Sequence, residues 1–488
     1  MPDPIYQNFD LFFQREGEAY RVRADSTEGQ ASATFVLPFS DIELQNFILT
    51  TRPGMRGVRR IDAPDVAAAK RFGGNLFQAV FNGDVQGCWR SSLSASAQRD
   101  SRLRMRLRFT DTPELADLPW EYLFSTSLNR FLALDDELAI VRYLDMPERT
   151  RPVAVTLPLR VLVMISNPGD YPQLDVEQEW AQIKEALGPL QERGLVQIDL
   201  LDDATLPVLR KKLQSGPYHI LHFIGHGAFD RQTQEGVVVL KDESGRGRLV
   251  SGQQLGWLVH NYRTLALVIL NACEGARADR TDPFSGTAQS LVQQGIPAVV
   301  AMQFEITDGA AKTFSQAFYA AVAGGHPVEN ALFEARMAIF TENHALEWAT
   351  PVLYTRAADG HLFDFTSLPT AVVAPPRPSA TTDGTVAPAT PEISVSPIDV
   401  VEPISTPRTA QEPQIDSTRA GQAETAPAAS PANALYLEAQ DASHKGDWQT
   451  AIEKARTALL LDDEHVGAAT ILRSALKAKE EARLRAAQ

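Results

Sequence analysis

The segment Tyr218-His219-Ile220-Leu221-His222-Phe223-Ile224-Gly225-His226-Gly227 decides how the chain is read. Its apolar run has the length of a strand, and the two flanking glycines allow a sharp turn around His226. A second run, Leu265-Ala266-Leu267-Val268-Ile269-Leu270, ends in Asn271-Ala272-Cys273-Glu274-Gly275. Strands this continuously apolar are those buried on both faces of a parallel sheet. Working outward, short β-branched runs alternate with helical patterns. Leu159–Ile165 is followed by a helix to about Arg193, then by Leu195–Leu200 and a short helix from Thr205. Val237–Leu240, a helix Ser251–His260, a helix near Phe284–Gln294, the strand Ala298–Met302 and two helices up to about Phe340 complete the series. That alternation predicts an α/β domain with a mainly parallel sheet covered by helices. Asp175 with Gln178, and Ser251 with Gln254, have the spacing of capping boxes at helix starts.

In an open parallel sheet, reactive groups collect just past the carboxyl ends of the strands. His226 and Cys273 both fall there. A free thiol with a pKa near 8.5 is only slightly ionised at neutral pH, and a histidine within hydrogen-bond reach activates it by taking its proton. The two residues lie 47 positions apart, from 226 to 273, which leaves room for a strand, a helix and a second strand.

Several further stretches accompany this pair. They are Phe72-Gly73 with Leu76-Phe77, Leu118-Pro119-Trp120-Glu121, Val141-Arg142-Tyr143, Gly295 to Gln303, and Glu347 to Tyr354. Taken in this order with His222–Gly227 and Leu270–Gly275, they make the chain resemble the bacterial CHAT family over roughly Ala67 to Phe363. These are caspase-like domains often found beside tetratricopeptide repeats. The resemblance implies a caspase-like sandwich, with His226 as general base and acid and Cys273 as nucleophile. It implies an oxyanion hole made by the backbone N–H groups of Gly227 and Cys273, and it requires no third acidic member. The His-to-Cys spacing is close to the roughly 50 residues typical of caspases. Two positions before the nucleophile, metacaspases carry Asp and caspases Gln; Asn271 follows neither. Asn271, Glu274, Glu305 and Asp308 are candidates for lining a substrate pocket.

The formal net charge of −15 is spread without a Lys/Arg-rich block, which disfavours a nucleic-acid partner. The start MPDPIYQNFDLFFQ lacks a secretory layout, and no apolar run reaches the length of a membrane span. Cys88 and Cys273 are too few for a disulfide framework or a zinc site. The expectation is a cytoplasmic protein without metal or cofactor.

Four parts are expected: an N-terminal α/β extension (1–150), the caspase-like domain (151–365), a Pro/Ala/Thr/Ser-rich disordered linker (366–432) and a helical segment (433–488). In the last, Ala439, Ala442, Gly446, Trp448, Ala451 and Ala458 recur as in a tetratricopeptide repeat, whose open face needs a neighbour: the third helix after Glu464, another domain or a partner. In the extension, Leu103–Phe109 alternates apolar and basic residues as a half-exposed strand does, and Gly73-Gly74 is expected to interrupt the helix Asp65–Phe81. Cys88 reads as a packing residue at a helix-to-loop junction, His222 as a structural histidine, and Trp120 with Glu121 as an anchor between domains. The functional expectation is a cysteine endopeptidase acting on a protein substrate, with a protein partner docked by the C-terminal helices. The alternative is a catalytically silent interaction or oligomerisation module. A nucleotide-binding reading lacks a glycine-rich phosphate loop after the first strand of the sheet.

Overall fold

The computed structural model describes residues 5–50, 64–148, 150–230, 235–271, 284–342 and 346–365, together with 435, 438–439, 442 and 447–461. The N-terminal part contributes β1 (Tyr6–Glu16), β2 (Ala19–Ser26), β3 (Gly29–Phe35), β4 (Arg102–Arg108), the short β5 (Phe124–Ser125) and β6 (Arg130–Phe131), and β7 (Leu138–Tyr143). After β8 (Val153–Val155) come β9 (Leu159–Ile165), β10 (Val196–Leu200) and β11 (Ile220–Ile224), then β12 (Gly227–Asp230), β13 (Glu235–Lys241) and β14 (Gly247–Ser251). The last strands are β15 (Leu267–Asn271), β16 (Ala298–Met302), β17 (Pro351–Thr355) and β18 (Phe363–Phe365). The helices are α1 (Asp41–Thr50), α2 (Pro64–Val80), α3 (Gly83–Gln98), α4 (Pro113–Ala116), α5 (Val176–Glu192) and α6 (Leu206–Gln214), followed by α7 (Gly252–Val259), α8 (Ser285–Gln293), α9 (Asp308–Ala323) and α10 (Val328–Thr341).

Eleven strands form one sheet in the order β10-β9-β11-β15-β16-β17-β7-β4-β1-β2-β3. Pairing is parallel except where β16 meets β17, β1 meets β2 and β2 meets β3. The N-terminal extension therefore joins edge to edge through β7, lengthening the same sheet. The carboxyl ends of β9, β11, β15 and β16 gather on one edge, and β17 starts there too, with Pro351 opposite Met302.

Strand alternation explains why these runs are apolar throughout. Val161, Val163 and Ile165 join one buried cluster with residues of α5, α9 and α10, while Leu162 and Met164 join the other with residues of α6, α7 and α8. Each such side chain withdrawn from water contributes about 1.5–3 kcal/mol. The N-cap half of each expected capping box is present: Gln178 N–H donates to Asp175 Oδ1 at 3.0 Å and Gln254 N–H to Ser251 Oγ at 3.1 Å, while the Gln178 side chain turns to Asp308.

Three sequence expectations are corrected. Strand β4 is not half-exposed, because Arg104 and Arg108 are buried. Arg104 pairs with the buried Glu329 of α10 at 2.9 Å, and Arg108 with Asp10 of β1 at 2.6 Å, so the basic face is a covered one. Helix α2 runs unbroken through Gly73-Gly74. Gly73 is there for close approach, since a Cβ at that position would lie 1.7 Å from the backbone oxygen of Tyr122. Cys88 sits inside α3, half-buried, with Sγ 3.5 Å from Ser26 Oγ.

His222 lies on the α9 side of β11, fully enclosed, with Nδ1 2.9 Å from the Tyr319 hydroxyl. Its Nε2 has no hydrogen-bond partner among the described residues. Burial lowers its pKa from 6.5 to about 4, and burial with the Arg160 charge does the same to His219. A depressed folded-state pKa means that the unfolded chain takes up the proton first as acid is added. The stabilisation is therefore complete above about 6.5 and is lost as pH falls toward 4, at up to about 1.4 kcal/mol per pH unit for each histidine. Urea midpoints measured from pH 7 to 4.5 are expected to fall, and His222→Gln to flatten part of the slope. A midpoint independent of pH over that window would contradict this account.

Two compact units are present, Met1–Thr381 and Thr382–Gln488. In the second, helix Trp448–Leu461 is capped by Asp447, whose Oδ1 accepts from Thr450 N–H at 3.2 Å. Ala442, Ala451 and Ile452 form a small apolar cluster with Trp448 packed against it. The 366–432 linker lies outside the described residues, as do Gly446 and the side chain of Ala458. No described helix is long and apolar enough to cross a membrane.

Candidate active site

Strand β11 delivers His226 through a turn that only a glycine fits. A Cβ on Gly225 would lie 2.8 Å from the Phe223 ring and 3.1 Å from Ser166 O. Gly225 N–H donates to Asn271 O at 3.2 Å, and His226 O accepts from Val239 N–H at 2.9 Å, so the turn is bound on two sides. The side chain of His226 is only 2% exposed.

Above it lies the loop joining β9 to α5. The carbonyl of Pro172 stands 2.8 Å from His226 Nε2, and the Tyr171 ring packs at 5.3 Å between centroids. A carbonyl oxygen only accepts, so Nε2 must carry its proton and, in the neutral ring, Nδ1 is the basic nitrogen. The loop braces itself. Asn167 Nδ2 donates to Leu174 O at 2.9 Å and its Oδ1 accepts from Leu174 N–H at 3.0 Å, while Gln173 Nε2 donates to the carbonyls of Pro168 and Tyr171. The β13–β14 turn clamps it from outside: Gly169 N–H donates to Gly245 O at 3.0 Å and Gly247 N–H to Asp170 Oδ1 at 2.6 Å. Burial, with the Asp170 carboxylate second, raises the pKa of Tyr171.

A Cβ on Gly247 would lie 2.3 Å from the Tyr171 ring. Gly247→Ala is therefore expected to push Tyr171 and Pro172 away from His226 and to lower any His226-dependent activity about tenfold. The fold should survive, because the clamp lies at a half-exposed rim. Unchanged activity in a folded Gly247→Ala protein would show that the loop does not position the histidine.

Asn271 closes β15 opposite Ile224 of β11, buried, with an Oδ1 that finds no hydrogen-bond partner among the described residues. Cys273 and Glu274 lie outside the described residues. Gly227 opens β12 opposite Val238. Glu305 follows β16 on the same edge as His226, half-buried. Asp308 opens α9 and accepts from Gln178 Nε2 at 2.6 Å, tying α9 to the start of α5. Neither acid bonds to His226. The structure thus brings His226, Gly227 and Asn271 together, places the two acids along the same edge, and adds Pro172, Tyr171 and Ser166, which the sequence reading did not single out. The signal for them was the turn-forming string Asn167-Pro168-Gly169-Asp170 at the end of β9.

Other motif residues build a buried polar cluster between β7, β16 and β17. Arg142 and Glu121 pair at 3.1 Å with 2% and 1% of their side chains exposed, Gln303 Nε2 donates to Glu121 at 3.0 Å, and Arg142 reaches the Tyr354 hydroxyl at 2.5 Å. Trp120 is fully buried, its Nε1–H donating to Leu115 O at 2.7 Å.

The fold and this edge define an α/β protein with a mainly parallel, helix-covered sheet and a glycine-flanked histidine at the carboxyl end of a central strand. The family model described as CHAT domain matches residues 70–356, more than half of the sequence, and the chain belongs to that family. No curated protein matches it. Among solved structures it is similar to the Saccharomyces cerevisiae separase–securin complex, with 12% identity and a TM-score of 0.43 over 72% of this chain. It spans only 30% of that separase–securin chain. It is also similar to the complex of Porphyromonas gingivalis RgpB pro- and mature domains, with 10% identity and a TM-score of 0.34, covering 66% of this chain and 77% of that one.

Proposed function

We propose that the protein is a cysteine endopeptidase of the caspase-like kind, with His226 and Cys273 as its dyad. The observation that carries this reading is the His226 Nε2–Pro172 O contact of 2.8 Å, which leaves Nδ1 as the basic nitrogen beside the strand that leads into Cys273. In this scheme Nδ1 accepts the Cys273 proton and the thiolate attacks the substrate carbonyl. The N–H groups of Gly227 and Cys273 stabilise the oxyanion, a contribution of roughly several kcal/mol. The tetrahedral adduct then collapses as His226 gives its proton to the departing amine, leaving a thioester on Cys273. Water, deprotonated by His226, releases the acid product and restores the thiol.

A peptide carrying an electrophilic terminus tests this directly. Cys273 should be labelled in the wild-type chain and labelled far more slowly in His226→Ala. Labelling that is indifferent to His226 would favour the silent binding module instead. Turnover is expected to need a reductant and to withstand a chelator. The C-terminal helices are proposed to dock a protein partner or substrate, raising its concentration near Cys273 by tethering. Truncation after Ser367 should then spare peptide turnover while lowering cleavage of a protein substrate about tenfold; equal rates on the protein substrate would sink the docking role.

A further inference from the structure

On the sheet edge opposite His226 lies a cavity of about 530 Å³, bounded by the end of α7, the starts of β15 and β16, the end of β17 and residues 150–153. Its charged lining is Arg151, Arg263 and Arg356 against a single carboxylate, Glu148. That local excess of positive charge stands in a chain whose net charge is −15. Arg356 is 9% exposed, and its Nε is buried without a hydrogen-bond partner among the described residues. Its ion-pair partner among the described residues is Glu148 at 3.9 Å, on a side chain that is 80% exposed. Among the described residues, Arg151 and Arg263 form no ion pair or hydrogen bond at all.

An enclosed guanidinium whose Nε lacks an acceptor among the described residues, and whose charge is offset only by a long contact to an exposed carboxylate, costs stability. Its planar fork of donors matches the oxygens of phosphate, and three such groups offset by one carboxylate suit a ligand carrying at least two negative charges. The volume falls in the range of small-molecule sites, large enough for a nucleotide. The backbone of Arg356 is fixed, with its N–H donating to Pro297 O at 3.0 Å and its carbonyl facing the Tyr143 hydroxyl at 3.4 Å, so the side chain is presented from a rigid strand end. Val259 and Pro297 give the cavity an apolar wall.

We propose that this cavity binds a small phosphate-bearing molecule, a nucleotide or a polyphosphate, with Arg356 as the principal contact and Arg151 and Arg263 at its mouth. The site is independent of the peptidase reading and lies on the far edge of the sheet from His226.

The test is the melting temperature of the full-length protein, followed by titration calorimetry, with inorganic pyrophosphate, a nucleoside diphosphate and succinate. Both phosphate compounds should raise the melting temperature and succinate should not. A nucleoside diphosphate binding at least tenfold more tightly than pyrophosphate would identify a nucleotide site, and equal affinity a polyphosphate site. Arg356→Gln should weaken binding about tenfold or more. Because that substitution lies in the core, the exposed pair Arg151→Ala/Arg263→Ala supplies a second measurement, with a loss of similar size. Arg246→Ala, an exposed arginine on the other edge, should change nothing. Absence of binding by wild type at millimolar phosphate compound, or binding that survives both sets of substitutions, would overturn the proposal. Equal binding of succinate would overturn the assignment to phosphate.

Discussion

Replacing Cys273 by alanine is expected to lower peptide-bond cleavage by about four to six orders of magnitude, and His226→Ala to lower it nearly as far. The scale follows from nucleophile–base pairs acting as one unit, where loss of either member costs about as much as loss of both. The double variant should accordingly retain the same residual rate as Cys273→Ala alone. Two independent contributors would instead multiply their losses, so the comparison separates a dyad from two unrelated polar residues. Stability needs separate attention, because His226 is nearly enclosed and donates to Pro172 O at 2.8 Å. Truncating it leaves that carbonyl without its donor, a cost of about 1–3 kcal/mol. His226→Ala should therefore be assayed well below its own unfolding temperature. The measurement is the set of new N-termini that each purified protein generates in a protein extract. Cleavage by Cys273→Ala at the wild-type positions would refute the assignment.

The central strands were legible because their chemistry is local. Val161 to Ile165 and Ala298 to Met302 present apolar atoms to both faces, and such a run has few stable homes other than a sheet covered twice. The turn at His226 was legible for the same reason, since glycines flank it directly. What stayed hidden depended on partners far along the chain. The arginines of β4 read as solvent-facing because nothing nearby in sequence neutralises them; Arg104 meets Glu329, contributed by α10. Gly73 reads as a helix breaker on propensity alone. Its function is visible only when Tyr122 is brought against it. Pro172 escaped notice because it contributes a backbone carbonyl, a group every residue possesses and no motif advertises.

Glu121→Ala is expected to be the most damaging single change to the fold, lowering the unfolding free energy by about 3–5 kcal/mol, the usual cost of stripping one member from a buried ion pair. Glu121 faces Arg142 at 3.1 Å and accepts from Gln303 Nε2 at 3.0 Å, with almost none of its surface in water. A second buried arginine shares its field. Arg336 donates to Pro351 O at 2.7 Å, and its pKa is lowered to about 10, chiefly by burial, with Glu121 opposing the fall and the Arg142 charge adding to it. Without the carboxylate, two guanidinium charges remain near each other in a region that water does not reach. These groups join the Trp120–Tyr122 turn, β7, β16 and β17, so the damage should spread across the middle of the sheet. Glu121→Gln keeps the shape and one acceptor, and should cost clearly less. The decisive variant is the pair Glu121→Leu/Arg142→Met, which removes both charges while keeping apolar volume. If the cost of Glu121→Ala is the stranded charge and not lost packing, this pair should recover at least half of the loss. Urea unfolding followed by tryptophan fluorescence in the full chain reads all three. A Glu121→Ala protein within 1 kcal/mol of wild type, or a double variant no more stable than the single one, would show that the cluster holds the sheet by packing and not by charge.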